Sequence, residues 1–121
     1  MLFRSPPVHD ITEELVFILD ASAKVGTDNF GRQKAFVKLL ARSLNVAPGG
    51  SRAALITYSN NAVTVVKLGG YETVHDFEST LDRIVFYYGR ERRMDLALEE
   101  AADLFQKARA GVQRKVCFVY G

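Results

Sequence analysis

The sequence predicts an α/β layer fold on a mainly parallel sheet. Three observations carry this. The first apolar segment, Leu15-Val16-Phe17-Ile18-Leu19, is continuous and does not alternate, which suits a strand buried on both faces. Stretches of helical periodicity then alternate with further apolar runs. The chain has 121 residues, 48% hydrophobic and 25% charged, as expected of one globular domain. That composition excludes a disordered chain and collagen-like repeats, and a single cysteine excludes an intrachain disulfide.

Each element has its own signal. Residues 1–11 hold Pro6 and Pro7 without periodicity and read as a flexible tail ahead of a domain over 12–121. The first strand ends at Asp20, and Ala21 to Asp28, small and polar, reads as a loop. A helix is expected from about Asn29 to Leu44, with Phe30, Val37, Leu40 and Leu44 on its apolar face and Phe36 beside them. Arg32, Lys34, Lys38 and Arg42 take the opposite face. Pro48-Gly49-Gly50 breaks the chain before a strand over Ala53 to Tyr58. Ser59-Asn60-Asn61 signals a tight turn, since asparagine tolerates positive φ, and Val63 to Val66 returns as the second arm of a hairpin. After Gly69-Gly70, Thr73 and Asp76 resemble a capping box with Asp in place of Glu. Val74, Phe77, Leu81 and Ile84 are the stripe of the second helix. Gly89 to Arg93 is a charged loop, and a third helix is expected from about Met94 to Ala110, with Gly111 as its cap glycine. Val116-Cys117-Phe118-Val119-Tyr120 is the last strand.

Several function classes find no support. A net charge of +2, from 16 basic against 14 acidic residues, does not call for nucleic acid. No apolar run approaches the roughly 18 residues of a membrane span, and the start lacks a secretory h-region. Neither a G-x-G-x-x-G nor a Walker sequence is present. His9, His75 and Cys117 show no metal spacing, and Cys117 reads as a small core residue. An α/β enzyme using Asp20 as an acid would need a nucleophile–base pair that the sequence does not display. Arg90, Arg92 and Arg93 form a basic group that Lys24 could join on the same rim. It reads either as a site for an anionic partner or as a solvated loop balanced by Glu91, Asp95, Glu99 and Glu100. Tyr87-Tyr88 reads either as interface aromatics or as a helix end with one ring buried.

Glu14 to Ser22, Val25-Gly26 with Asn29-Phe30, Ser51 to Ser59, Ala97-Leu98 and Lys115 to Val119 together resemble the von Willebrand factor type A domain. The resemblance covers about residues 13 to 121 and is nearest to matrix and adhesion members of the collagen-VI and matrilin type. It implies a doubly wound sheet of strand order 3-2-1-4-5-6 with its ligand site above the carboxyl ends of the strands. It also implies, in many members, a Mg²⁺ held by an Asp-x-Ser-x-Ser loop, a Thr from a second loop and an Asp after the fourth strand. Asp20 and Ser22 match the first two positions, but the third is Lys24, an ammonium that cannot ligate. Alignment on Ala97-Leu98 places Arg92 or Glu91 where the Thr belongs, and the last Asp would fall beyond Gly121.

Two readings follow. In one, Asp20 and Ser22 still hold Mg²⁺ with water filling the gaps; in the other, Lys24 or an arginine of the second loop supplies the positive charge. The second is the expectation, with no cofactor. The resemblance then implies a non-enzymatic, extracellular module for protein or matrix adhesion. Its partner-binding face is Asp20, Ser22, Lys24, Arg90, Glu91, Arg92 and Arg93, and its ligand is a protein or matrix component, acidic or glycosaminoglycan, with neither nucleic acid nor membrane insertion involved. A metal-dependent adhesion domain and an α/β enzyme are the alternatives. Because the family domain carries further strands, 12–121 reads as its first two thirds. Val116, Cys117, Phe118, Val119 and Tyr120 would then form an apolar edge through which two chains associate.

Overall fold

A computed structural model describes residues 12–47 and 49–119. The tail expected over 1–11, and Pro48, Tyr120 and Gly121, lie outside the described residues. The elements run β1 (Glu13–Asp20), α1 (Gly26–Ser43), β2 (Arg52–Tyr58), β3 (Ala62–Val66), α2 (Val74–Asp82), α3 (Met94–Phe105) and β4 (Gln113–Val119). The sheet order is β3-β2-β1-β4. β1 is parallel to both neighbours, with Val16 level with Ala54 on one side and Val116 on the other. β3 returns antiparallel to β2 as the expected hairpin.

All eight residues of β1 are buried. Leu15, Phe17 and Leu19 face Phe30, Val37 and Ala41 of α1 and Phe77 and Leu81 of α2. Val16 and Ile18 face the other way, towards Ala97 and Ala101 of α3. The unalternating run thus serves two cores at once, and helices cover both faces of the sheet. Each fully buried large side chain is worth about 1.5–3 kcal/mol, so this strand is the anchor of the fold.

Several boundaries differ from expectation, each for a local reason. α1 starts at Gly26, not Asn29, because the first loop closes early, with the Val25 N–H on the Ser22 carbonyl at 3.1 Å. Its buried stripe is Phe30, Gln33, Val37 and Ala41, while Phe36 is 48% exposed. α3 stops at Phe105, not Ala110. The Arg109 N–H, which a longer helix would give to the Phe105 carbonyl, goes instead to Glu14 Oε1 at 2.9 Å. Gly111 at φ 75° therefore closes the following turn and not the helix. The hairpin turn forms with neither Asn60 nor Asn61 at positive φ; among the described residues, the non-glycine residues there are Asn45 and Tyr88.

The last strand begins earlier than expected, at Gln113, and pairs with β1 alone among the described residues. It is less apolar towards its open side than its sequence suggests. Val116 is 37% exposed, Cys117 and Phe118 are half-buried, and Val119 is buried at 3%. Val119 belongs to the core and not to the edge surface, since it packs with the Leu15, Phe17 and Leu19 face.

Candidate functional site

β1 delivers Asp20 to the carboxyl end of the sheet, where open α/β sheets bind ligands. Gln33, from the buried stripe of α1, clamps its backbone: the Asp20 N–H donates to Gln33 Oε1 at 2.9 Å and Gln33 Nε2 donates to the Asp20 carbonyl at 3.0 Å. A buried amide needs such partners, and this one spends them on fixing the end of β1. The loop that follows doubles back, so the Ser22 N–H donates to Asp20 Oδ1 at 2.8 Å.

A second loop, 85–93, lies across the first. Gly89 pairs with Ser22 in strand fashion: the Ala23 N–H reaches the Gly89 carbonyl at 2.7 Å and the Gly89 N–H the Ala21 carbonyl at 3.4 Å. Gly89 also passes so close to the hairpin that a Cβ on it would stand 2.3 Å from Ser59 Cβ and Oγ. No side chain fits there. The Glu91 N–H then donates to Asn60 Oδ1 at 2.8 Å and the Arg93 N–H to the Ser59 carbonyl at 2.9 Å. Upstream, Phe86 stacks on Phe30, and Tyr88, at φ 56°, shares a hydrogen bond with Thr27 Oγ1 at 3.0 Å.

This stitching carries Arg92 over Asp20. Arg92 Nε donates to Asp20 Oδ2 at 2.8 Å, and its Nη2 lies 2.7 Å from the same oxygen. The Asp20 side chain is 1% exposed and that of Arg92 is 44% exposed, so the carboxylate is roofed by the guanidinium. The bond to Asp20, followed by its charge, raises the Arg92 pKa above the ordinary guanidinium value, so the group stays charged.

The seven residues expected on the binding face therefore separate. Asp20 and Ser22 are fully buried and lie beneath the surface. Arg92 is joined to Asp20, and Arg93 is engaged with Asp95 in the first turn of α3, Nε to Oδ1 at 3.0 Å. Lys24, Arg90 and Glu91 are exposed, and Lys24 and Arg90 have no ion-pair partner among the described residues. Tyr87 and Tyr88, 63% and 60% exposed, stand just ahead of Arg90. A cleft of about 350 Å³ opens beside them, lined by Tyr58, Asn60, Val63, Tyr87 and Gly89.

The donors do not fit Mg²⁺. Such an ion wants an octahedron of oxygens, several of them water. Here one carboxylate has both oxygens engaged, Ser22 adds one hydroxyl, and no group of three or more His, Cys, Asp or Glu suited to a metal occurs among the described residues. The Ser22 Oγ is buried with no hydrogen-bond partner among the described residues, so no base is in place to activate it.

Gln33, Asn60 and Gly89 build the site and were not singled out in the sequence. A glutamine at helical spacing between Phe30 and Val37 was the available signal for the first. The close approach at Gly89 has no sequence signal.

Comparison with known proteins agrees with the fold. A family model described as the von Willebrand factor type A domain matches residues 14–120. Cuticlin-6 of Caenorhabditis elegans is 32% identical over 104 residues, 84% of this chain and 18% of that protein. Matrilin-2 of Mus musculus is 31% identical over 86 residues, 71% of this chain and 9% of that protein. The chain thus spans less than a fifth of the length of these relatives. Among solved structures, proximal thread matrix protein 1 from the mussel byssus superposes with a TM-score of 0.80 at 21% identity, over 90% of this chain and 30% of that one.

Proposed function

The chain belongs to the von Willebrand factor type A domain family, and from that premise we propose that it is a non-enzymatic, metal-independent adhesion module working outside the cell. Its ligand is an acidic protein or matrix component, bound on the rim formed by Lys24, Arg90 and Glu91 beside Tyr87 and Tyr88. One observation carries the reading: Arg92 neutralises Asp20 from above. A ligand approaching this end of the sheet meets guanidinium, ammonium and aromatic rings before any carboxylate of β1. Guanidinium forks suit carboxylates and sulfates, and exposed tyrosines add apolar contact with little entropy to lose. The matrix character of the relatives supports the partner class and the extracellular setting.

The test is retention on immobilised heparin and on an immobilised acidic peptide, with Mg²⁺ or with EDTA. Binding is expected to be indifferent to EDTA, to weaken with salt because exposed charges are screened over about 8 Å at physiological ionic strength, and to fall at least tenfold in K24A/R90A. Elution at or below physiological salt, unchanged in K24A/R90A, would reduce the rim to a solvated loop. Binding that requires Mg²⁺ would favour the metal-dependent mode instead.

A further inference from the structure

We infer that the two clefts divided by Tyr87 form a glycan site, which takes neighbouring sugar rings of a uronic-acid-containing chain, one on each side of the tyrosine. This rests on the reading of the chain as a matrix-binding module and deepens it by naming the ligand class.

The hairpin lays the floor. Thr57 of β2 stands opposite Val63 of β3, and by strand alternation it shares the sheet face of Leu55, on which Val65 also packs. Thr57, Val63 and Tyr87 border both clefts. The larger, about 350 Å³, extends towards Asn60 and Asn61, and the smaller, about 230 Å³, towards Thr80 and Arg83 around the end of α2. Thr57 is only 2% exposed, yet its hydroxyl makes no hydrogen bond among the described residues. A polar group buried in this way costs stability unless something answers it, so the floor calls for a hydrogen-bonding guest.

The walls select a sugar. Tyr87, Val63 and Val85 are exposed and give the apolar surface on which the C–H face of a sugar ring can lie. Groups for its hydroxyls stand beside them. Asn60 spends Oδ1 on the Glu91 N–H and keeps Nδ2 to donate, and the Asn61 side chain has no hydrogen-bond partner among the described residues. Arg83 is the one charged residue lining either cleft; it is exposed and has no ion-pair partner among the described residues. No carboxylate of the lining competes for it, so its guanidinium matches an acid group carried by the sugar. An extended peptide is the poorer guest. Added as a strand on β3 it needs an unbroken edge, and β3 has five residues with a register shift where it passes Leu55 and Ile56.

The experiment titrates the 121-residue chain with an unsulfated chondroitin hexasaccharide, in which N-acetylgalactosamine alternates with glucuronic acid, by calorimetry and saturation-transfer NMR. The wild-type chain is expected to bind it. Y87A is expected to weaken binding about tenfold, and Y87F, which keeps the ring, to stay close to wild type. T57V exchanges an unanswered hydroxyl for a methyl group, so its thermal midpoint should hold while binding weakens about fivefold. Carboxyl-reduced chondroitin should bind the wild-type chain about threefold more weakly, with no further loss in R83Q. A wild-type chain that does not bind, or Y87A and T57V that bind like wild type, overturns the inference. So does a glutamate-rich peptide that binds as tightly and suffers the same losses in Y87A and T57V. Heparin retention lost in K24A/R90A, with chondroitin binding indifferent to Y87A and T57V, overturns the glycan site and leaves the rim standing. The reverse pattern overturns the rim and leaves the glycan site.

Discussion

Of the buried carboxylates of β1, Glu14 and Asp20 stand at opposite ends, and arginines from distant sequence answer both. At the carboxyl end Arg92 covers Asp20; at the amino end Glu14 receives Arg52 Nε at 3.0 Å, Arg109 Nη2 at 2.9 Å and the Arg109 N–H at 2.9 Å. Burial pushes the Glu14 pKa up, but the hydrogen bonds from Arg52 and Arg109 outweigh it and leave the value at about 2, against an ordinary 4.5. A shift of that size corresponds to about 3 kcal/mol. Because the folded value is the lower one, this stabilisation is complete above about pH 4.5 and is lost as pH falls towards 2. Urea unfolding of E14Q should therefore show a loss of about 3 kcal/mol at pH 7 that shrinks through that window, since both arginines remain and are partly exposed. An undiminished difference at low pH would mean that Glu14 acts through packing alone. A second residue-scale expectation concerns Gly89, where alanine must displace Ser59 and should cost about 1–3 kcal/mol while weakening any ligand held on the rim. Arg92 was legible as one of the groups able to replace a metal at Asp20. Glu14 was not, because an acid at the start of an apolar strand reads as its wet end until the partners, 38 and 95 residues away, are folded onto it.

At the level of elements, local chemistry was readable wherever it was local. Of the capping box expected at Thr73 and Asp76, the Thr73 half forms, its side chain accepting from the Asp76 N–H at 3.1 Å and closing the open end of the nine-residue α2. T73A should lower stability by about 1 kcal/mol, measured by denaturant midpoint, with an unchanged slope because little surface is involved. T73S should be close to wild type. The element that misled was α3. Its apolar spacing runs on through Ala108, and nothing in that spacing reveals that Glu14 competes for the Arg109 N–H. Two i→i+3 bonds, Lys107 to Leu104 at 3.1 Å and Ala108 to Phe105 at 3.1 Å, form in its place. The start of α1 was obscured in the opposite way, since a small polar composition signals a loop and gives no hint that the Val25 N–H already turns back to Ser22. Where a boundary depends on a partner far along the chain, periodicity alone cannot place it.

At the scale of the molecule, the strand order β3-β2-β1-β4 reproduces the corresponding part of the order that the family resemblance implied, and helices cover both faces. What the order did not disclose is the character of the β4 edge. Its open side is mixed: Gln113, Arg114 and Lys115 are exposed ahead of Val116, and Lys115 is drawn to Glu13 at 2.7 Å. Charged residues on an edge discourage pairing, whereas Val116 and the half-buried Phe118 favour it. Two copies pairing through this edge would place Arg114 and Lys115 of both chains on one continuous sheet, where their like charges repel. We therefore expect the 121-residue chain to self-associate weakly, and more strongly as salt screens that repulsion. Binding of an acidic ligand to the Lys24 and Arg90 rim should respond in the opposite sense, weakening as salt rises. The two surfaces can thus be separated in one series of sedimentation-velocity runs at low and high salt. V116K should shift the high-salt species towards monomer without unfolding the chain, because Val116 is 37% exposed. V119K would not serve, because Val119 is buried at 3% and a charge there would damage the core. A chain that stays monomeric at micromolar concentration in every salt condition would show that Arg114 and Lys115 protect the edge by themselves, leaving the rim above β1 as the surface through which the domain makes its contacts.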